Sequence, residues 1–259
     1  MEKGLLRSWP DQGPPVVWKK ELGMSYAMPC ISQGRLFLFD RERNRARLRV
    51  LGAETGEQLW SFDYPTDYRD QYGYNGGPRC CPIVDDNRVY LYGPEGMLHC
   101  LRVNDGKQIW SVDTGKNYGV VQNFFGVGST PIIEKNLLLV QVGGSPPGSD
   151  TVPFDQLKGN GSALVAFDKH TGKEVFRSGN DLASYASPVV ATIGDRRLAL
   201  LFARSGLFAI DPRTGKEVFF HPWRAPLLES VNASNPVVVG NRIFITECYE
   251  FGSALLEVR

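Results

Sequence analysis

An eleven-residue pattern that occurs four times is the feature that most constrains the fold of this 259-residue chain. The copies cover residues 50–60, 100–110, 166–176 and 209–219. Each copy has β-prone residues on both sides of a glycine, and each ends in Trp or Phe. Because glycine adopts the positive φ that a tight turn needs, each copy predicts a β-hairpin.

A proline precedes two further apolar stretches next to each hairpin, and turn-forming residues separate those stretches. These prolines are Pro29, Pro82, Pro131, Pro188 and Pro236. A four-stranded antiparallel unit that recurs about every 50 residues is typical of a β-propeller blade, which buries its two faces only by stacking on its neighbours. We therefore predict an all-β propeller with four complete four-stranded blades, at about residues 29–63, 82–113, 131–179 and 188–223.

The two ends of the chain predict complementary parts of one more blade. Residues 16–21 resemble a last strand, with Trp18 in the position that Trp60 has in its own repeat, while residues 236–259 supply three strands. The blades could therefore form an open arc or a five-blade ring within a single domain, 1–259. In an arc, the open blade faces predict self-association.

Composition and charge exclude several function classes. The formal net charge is +1 and the basic residues are scattered, which argues against a nucleic-acid partner. No stretch is apolar over the ~18 residues that a spanning helix needs, and the first residues lack the apolar core of a signal peptide. Five cysteines without CxxC spacing predict neither a zinc site nor a disulfide framework.

The candidate binding residues lie in the long connections between blades, which emerge on one rim of a propeller beside its central channel. Aromatic rings, amides and one arginine make up this set: Tyr68, Tyr72, Tyr74, Asn75, Arg79, Asn123, Tyr185 and Asn232. Rigid aromatic contact area combined with directional polar groups is common at recognition surfaces. We predict a protein, peptide or carbohydrate ligand at this rim.

The repeat Ala-x-Asp-x-x-Thr-Gly-x-x-x-Trp resembles that of the quinoprotein-like propellers, and the resemblance covers residues 16–259. This family includes pyrroloquinoline quinone (PQQ) dehydrogenases and the outer-membrane assembly lipoprotein BamB. The resemblance implies an extracytoplasmic, periplasmic protein and a ring that commonly has eight blades, so the chain could be part of a longer ring. It also implies that the closing Trp or Phe of each repeat packs on the neighbouring blade: Trp18, Trp60, Trp110, Phe176 and Phe219.

The resemblance leaves two functions open. PQQ alcohol dehydrogenases carry an adjacent cysteine pair under the quinone, and Cys80 and Cys81 lie at a similar place. The positions that correspond to the metal-binding Glu and Asn of those enzymes fall near Ser145 and Arg204, which supply no carboxylate. We therefore predict a non-catalytic, BamB-like binding scaffold with no cofactor and no metal. The alternative is a PQQ- and Ca²⁺-dependent alcohol dehydrogenase, or its degenerate or truncated relative.

Overall fold

The computed structural model describes residues 8–121 and 124–259, which form five antiparallel sheets. In each sheet the strands neighbour one another in chain order. The five-sheet propeller prediction is confirmed. Within the described residues no helix is long and apolar enough to cross a membrane.

The first four sheets have four strands each, and the bounds follow the repeats. The first two sheets contain β1 (Cys30–Ser32), β2 (Arg35–Glu42), β3 (Arg45–Gly52), β4 (Gln58–Pro65), then β5 (Ile83–Asp85), β6 (Arg88–Tyr92), β7 (Met97–Arg102) and β8 (Gln108–Asp113). A short helix α1 (Thr114–Tyr118) follows β8. The next two contain β9 (Ile132–Glu134), β10 (Leu137–Gln141), β11 (Leu164–Asp168), β12 (Glu174–Ser178), then β13 (Val189–Ile193), β14 (Arg196–Phe202), β15 (Gly206–Ile210) and β16 (Glu217–Pro222). The fifth sheet has β17 (Val237–Val239), β18 (Arg242–Glu247) and β19 (Gly252–Glu257).

The repeated hairpins form as the sequence predicts. In the hairpin of β11 and β12, the Asp168 carboxylate accepts backbone N–H groups from His170 at 3.0 Å and Thr171 at 2.8 Å. Gly172 then has a φ of +71°, which a residue with a Cβ adopts only with strain. Hydrogen bonds and backbone geometry within the hairpin itself therefore define this turn.

The closing tryptophans join neighbouring sheets. The Trp110 indole N–H donates to the Lys169 carbonyl at 3.2 Å, and the ring lies over Gly172 of the next hairpin. Trp60 makes the equivalent bond to the Val103 carbonyl at 2.9 Å. The absence of a side chain on the hairpin glycine therefore allows both the tight turn and the close packing of the neighbouring Trp ring.

A pair of alanine substitutions separates these two roles of glycine. Gly172→Ala would place a Cβ 2.8 Å from Trp110 Cδ2, whereas Gly194, with a φ of +62°, has no atom within 4 Å of that position. We expect Gly194→Ala to cost about 1–2 kcal/mol from backbone strain alone. Gly172→Ala should cost about 1–3 kcal/mol more through overpacking. Urea unfolding measures both losses, and equal losses would contradict the role assigned to Trp110.

The N-terminal segment does not complete the fifth sheet, which has three strands in the described chain. Residues 16–21 form no strand; Trp18 instead packs on the first sheet and donates its indole N–H to the Ala53 carbonyl at 3.1 Å. The large apolar clusters lie between successive sheets, and none in the described residues joins the fifth sheet to the first. This arrangement supports the open arc, and self-association through its end faces stays a prediction.

Candidate functional site

The connection between β4 and β5 is organised by one buried carboxylate, that of Asp70. One of its oxygens accepts the backbone N–H groups of Tyr72 at 3.0 Å and Tyr74 at 3.2 Å. The other accepts from the Arg79 guanidinium at 2.8 Å and from the Tyr68 hydroxyl at 3.4 Å. Only 1% of the Asp70 side chain is exposed, so the ion pair is shielded from solvent. The carboxylate thus fixes the backbone that presents Tyr72 and Tyr74.

Arg79 ties this connection to the start of the first blade. Its guanidinium donates to the carbonyls of Asn75 at 3.3 Å and Gly77 at 3.2 Å, and it lies 4.9 Å from the ring centroid of Tyr26. The Asn75 amide accepts the Gly77 N–H at 2.8 Å and donates to the Ser25 carbonyl at 3.3 Å. Arg79 and Asn75 therefore hold the loop in shape, and both polar groups are largely satisfied within the protein.

Four aromatic side chains cluster above this framework and form what we call the aromatic rim: the exposed Tyr26, Tyr72 and Tyr74, and the half-buried Phe125. The exposed fractions are 57% for Tyr26, 50% for Tyr72 and 65% for Tyr74. The Phe125 ring lies 5.5 Å from that of Tyr72 and 6.3 Å from that of Tyr74. Tyr26, Tyr74, Phe125 and Arg79 line an open depression of about 370 Å³.

Tyr185 supports the rim from below. Its hydroxyl accepts the backbone N–H of Phe125 at 2.8 Å, and the two rings lie 5.6 Å apart. Burial raises the pKa of the Tyr185 hydroxyl, which remains protonated at neutral pH. Tyr185 therefore positions Phe125 and is itself largely covered.

Two other predicted residues lie away from the rim surface. Tyr68 is buried, and burial raises the pKa of its hydroxyl to about 12. Asn232 is fully buried, and its amide donates to the carbonyls of Ala203 at 2.8 Å and Trp223 at 3.1 Å. Asn123 lies outside the described residues. Among the predicted residues that the structure describes, Tyr72 and Tyr74 are thus the exposed rings, while Asn75, Arg79 and Asn232 support the loops.

A second cavity, of about 300 Å³, lies where the connections of the second and third blades meet. Tyr68, Glu95, Gln141 and Ser184 contribute to its lining. The Glu95 carboxylate accepts from the Thr66 hydroxyl at 2.8 Å, and burial raises the pKa of Glu95. Gln141 holds the backbone of Ser184 through its side-chain oxygen. This cavity is enclosed more by glycines and apolar side chains than by charged groups.

The two adjacent cysteines have different surroundings. Cys80 is fully buried in the core between the second and third blades, where its thiol donates to the Ser129 carbonyl at 3.3 Å. Burial raises the pKa of the Cys80 thiol. Cys81 is half-buried, and both side chains are free thiols. Cys80 thus packs as a small apolar residue.

The residues at the positions expected for a metal do not fit one. Ser145 is buried and offers a hydroxyl, while Arg204 places a buried guanidinium at the other position. A hard cation such as Ca²⁺ needs several oxygen ligands, and a fixed positive charge opposes its binding. In the described part of the chain no three His, Cys, Asp or Glu side chains are grouped to hold a metal ion.

The sequence prediction missed two members of the aromatic rim. Tyr26 precedes the first blade, and Phe125 lies in the connection after the second blade; the Arg79 guanidinium is 4.9 Å and 5.8 Å from their ring centroids. The one sequence feature that could have indicated Phe125 is its place in a long connection between blades, next to a second phenylalanine, Phe124. Nothing in the local sequence of Tyr26 indicates its contact with Arg79.

Comparison with known proteins identifies the family. The family model described as outer membrane protein assembly factor BamB matches residues 44–255. The chain belongs to this family. In the solved structure of BamB from Moraxella catarrhalis, 61% of the chain superposes on 93% of this one with a TM-score of 0.60 and 19% identity, which shows a shared fold.

Relatives of both functional types are similar to this BamB-family chain. A Shewanella oneidensis protein named outer membrane protein assembly factor BamB is 27% identical over 39% of this chain and 27% of its own length. A quinone alcohol dehydrogenase subunit of Komagataeibacter europaeus is 28% identical over 52% of this chain and 17% of its own length. A europium-containing methanol dehydrogenase has the same fold, with a TM-score of 0.55. The matched regions cover less than a third of the length of the Shewanella oneidensis and Komagataeibacter europaeus proteins.

Proposed function

We propose that this chain is a non-catalytic binding scaffold that holds a protein segment on the aromatic rim. The observation that carries the proposal is the exposure of Tyr72 and Tyr74 on a backbone that Asp70 fixes in place, with the exposed Tyr26 ring beside Arg79. Large aromatic side chains held in one geometry lose little conformational entropy when a ligand binds. Such a surface gives contact area without prior rearrangement.

The relatives support a protein as the partner. The name of the Shewanella oneidensis relative describes a factor in the assembly of outer membrane proteins. By this likeness we propose a location outside the cytoplasm, in the periplasm. We also propose that residues 1–259 belong to a single propeller-type domain, which could be part of a longer ring. A carbohydrate stacked on the same rings is the competing ligand class, which a binding experiment can distinguish.

Selection from a phage-displayed random peptide library tests the proposal. We expect the immobilised wild-type protein to enrich peptides with apolar or aromatic residues. The double variant Tyr72→Ala, Tyr74→Ala should bind these peptides at least about tenfold more weakly, since each buried aromatic contact contributes more than ~1 kcal/mol. The control is Leu59→Ala, which removes an exposed apolar side chain of β4.

Two outcomes would contradict a protein-binding rim. Peptides that bind the double variant as tightly as the wild type would place their site elsewhere. A failure to enrich any peptide, together with saturable binding of an oligosaccharide that depends on Tyr72 and Tyr74, would assign the rim to carbohydrates.

A PQQ-dependent alcohol dehydrogenase is the second candidate, because the Komagataeibacter europaeus relative is an alcohol dehydrogenase of the quinone type and this chain carries Cys80 and Cys81. The surroundings of these positions weigh against it, since Cys80 is buried in the core and Arg204 introduces a positive charge. This candidate predicts stoichiometric uptake of PQQ.

A further inference from the structure

Two arginines at the top of the fourth blade converge on one acceptor. Arg204, in the turn between β14 and β15, donates to the Leu228 carbonyl at 3.2 Å. Arg224, in the connection after β16, donates to the same carbonyl at 3.2 Å and to that of Leu227 at 3.1 Å. The two positively charged guanidinium groups therefore share one acceptor, the Leu228 carbonyl oxygen, and lie close together.

This charge pair is only partly compensated: in the described residues no carboxylate lies within ion-pair distance of either guanidinium, and Asp181, beyond that distance, offsets part of the charge of Arg204. The nearby Asp181 carboxylate accepts instead from the Ser205 N–H at 2.6 Å and the Ser205 hydroxyl at 2.9 Å. Burial, then repulsion from Arg224, lowers the pKa of Arg204 to about 10. The site thus holds two positive charges that are costly to keep together.

Each guanidinium also keeps a buried N–H without an acceptor: Nη1 of Arg204 and Nε of Arg224. Arg204 as a whole is only 4% exposed. A buried donor without a partner costs about 1–3 kcal/mol, and more when it is charged. A ligand oxygen that reached these donors would recover that free energy.

An open cavity of about 370 Å³ gives access to Arg224, which shares the Leu228 carbonyl with the buried Arg204. Its lining includes Asp155, Arg224, Leu227 and Leu228. Leu227 and Leu228 are 48% and 42% exposed. These features fit a ligand with an anionic group beside an apolar one.

The pair also connects to the aromatic rim through stacked rings. The Arg204 guanidinium lies 4.1 Å from the ring centroid of Phe154, which lies 4.7 Å from that of Phe124. The Phe124 ring in turn lies 6.2 Å from that of Tyr72. Because Phe124 is buried, these rings connect the rim to the arginines beneath the surface, and the contacts show that the two places lie close together.

We propose that Arg204 and Arg224 bind one carboxylate of the protein segment that lies on the aromatic rim. This inference rests on the proposed function. Guanidinium groups present paired N–H donors that match the two oxygens of a carboxylate. Because the Asp155 carboxylate lines the same cavity, a singly charged carboxylate suits the site better than a phosphate dianion.

Nitrogen-15 NMR of the arginine side chains tests the carboxylate site. The probe is N-acetylglycine, with N-acetylglycinamide as the neutral control and inorganic phosphate as the competing anion. We expect N-acetylglycine to cause a saturable shift of the Arg204 and Arg224 Nε signals, and phosphate to bind more weakly. Arg224→Gln should weaken N-acetylglycine binding at least about tenfold, while Arg213→Gln, which removes a surface arginine, should leave it unchanged.

Because Arg204 is buried and its loss could unfold the protein, Arg204→Lys serves as the second variant. It keeps the charge but loses the paired donors, and we expect weaker binding in a folded protein. No saturable shift, an equal shift with N-acetylglycinamide, or tighter binding of phosphate would overturn the inference.

The double variant Tyr72→Ala, Tyr74→Ala separates this inference from the proposed function. It should bind N-acetylglycine as the wild type does while losing the selected peptides. If peptides still depend on the two tyrosines but N-acetylglycine does not bind, only the carboxylate site fails. If N-acetylglycine binds but peptides ignore the tyrosines, the rim proposal fails.

Discussion

Replacing Trp110 with alanine is expected to lower the free energy of unfolding by about 3–5 kcal/mol. The indole is buried at the contact between the second and third sheets, where it covers Gly172 and donates to the Lys169 carbonyl. Its removal leaves a cavity at a contact that each sheet needs, because a blade cannot bury its faces alone. Urea denaturation followed by near-ultraviolet circular dichroism measures the loss.

Trp9→Ala is the control for the loss of a tryptophan. The Trp9 side chain is 54% exposed, so we expect a change within about 0.5 kcal/mol. A loss below about 1 kcal/mol for Trp110→Ala would mean that the sheets are held together by other contacts.

Asp70→Ala is expected to have the second large effect, because it leaves the partly buried Arg79 guanidinium without its ion-pair partner. Losing one member of a buried pair costs about 3–5 kcal/mol, and two backbone N–H groups of the loop lose their acceptor as well. We expect faster amide hydrogen exchange at Tyr72 and Tyr74 and at least a tenfold loss of peptide binding.

Two control variants make this result specific. Asp67→Ala removes an exposed carboxylate three residues away and should leave both readouts unchanged. Asp70→Asn keeps a side-chain oxygen as acceptor and should fall between the wild type and Asp70→Ala. Unchanged amide exchange in Asp70→Ala would contradict the role of Asp70 in fixing the rim.

The sheets were predictable from the sequence because local chemistry specifies each hairpin. Asp168 and Gly172 fix their turn through atoms within a few residues, and the same turn recurs in the other repeats. The end of the array was less predictable. Trp18 packs as the repeat predicts, but a strand needs a hydrogen-bonded neighbour, and residues 16–21 have none in the described chain.

The rim was only partly predictable because long-range contacts decide which loop side chains are exposed. Tyr68 and Tyr72 lie in the same connection, yet Tyr68 is buried while half of Tyr72 is exposed. The buried Asn232 bonds to one carbonyl of another connection, Ala203, and to one of its own, Trp223. Tyr26 joins the rim through Arg79, 53 positions further along the chain. Hydrophobicity and turn propensity of the local sequence carry no information on such contacts.

Equilibrium dialysis of the purified protein with PQQ and Ca²⁺ tests most directly whether the chain is a binding scaffold or an enzyme. A non-catalytic scaffold should retain no stoichiometric PQQ and should show no dye-linked oxidation of alcohols after dialysis. Retention of one PQQ per chain, with alcohol oxidation that requires it, would contradict the account.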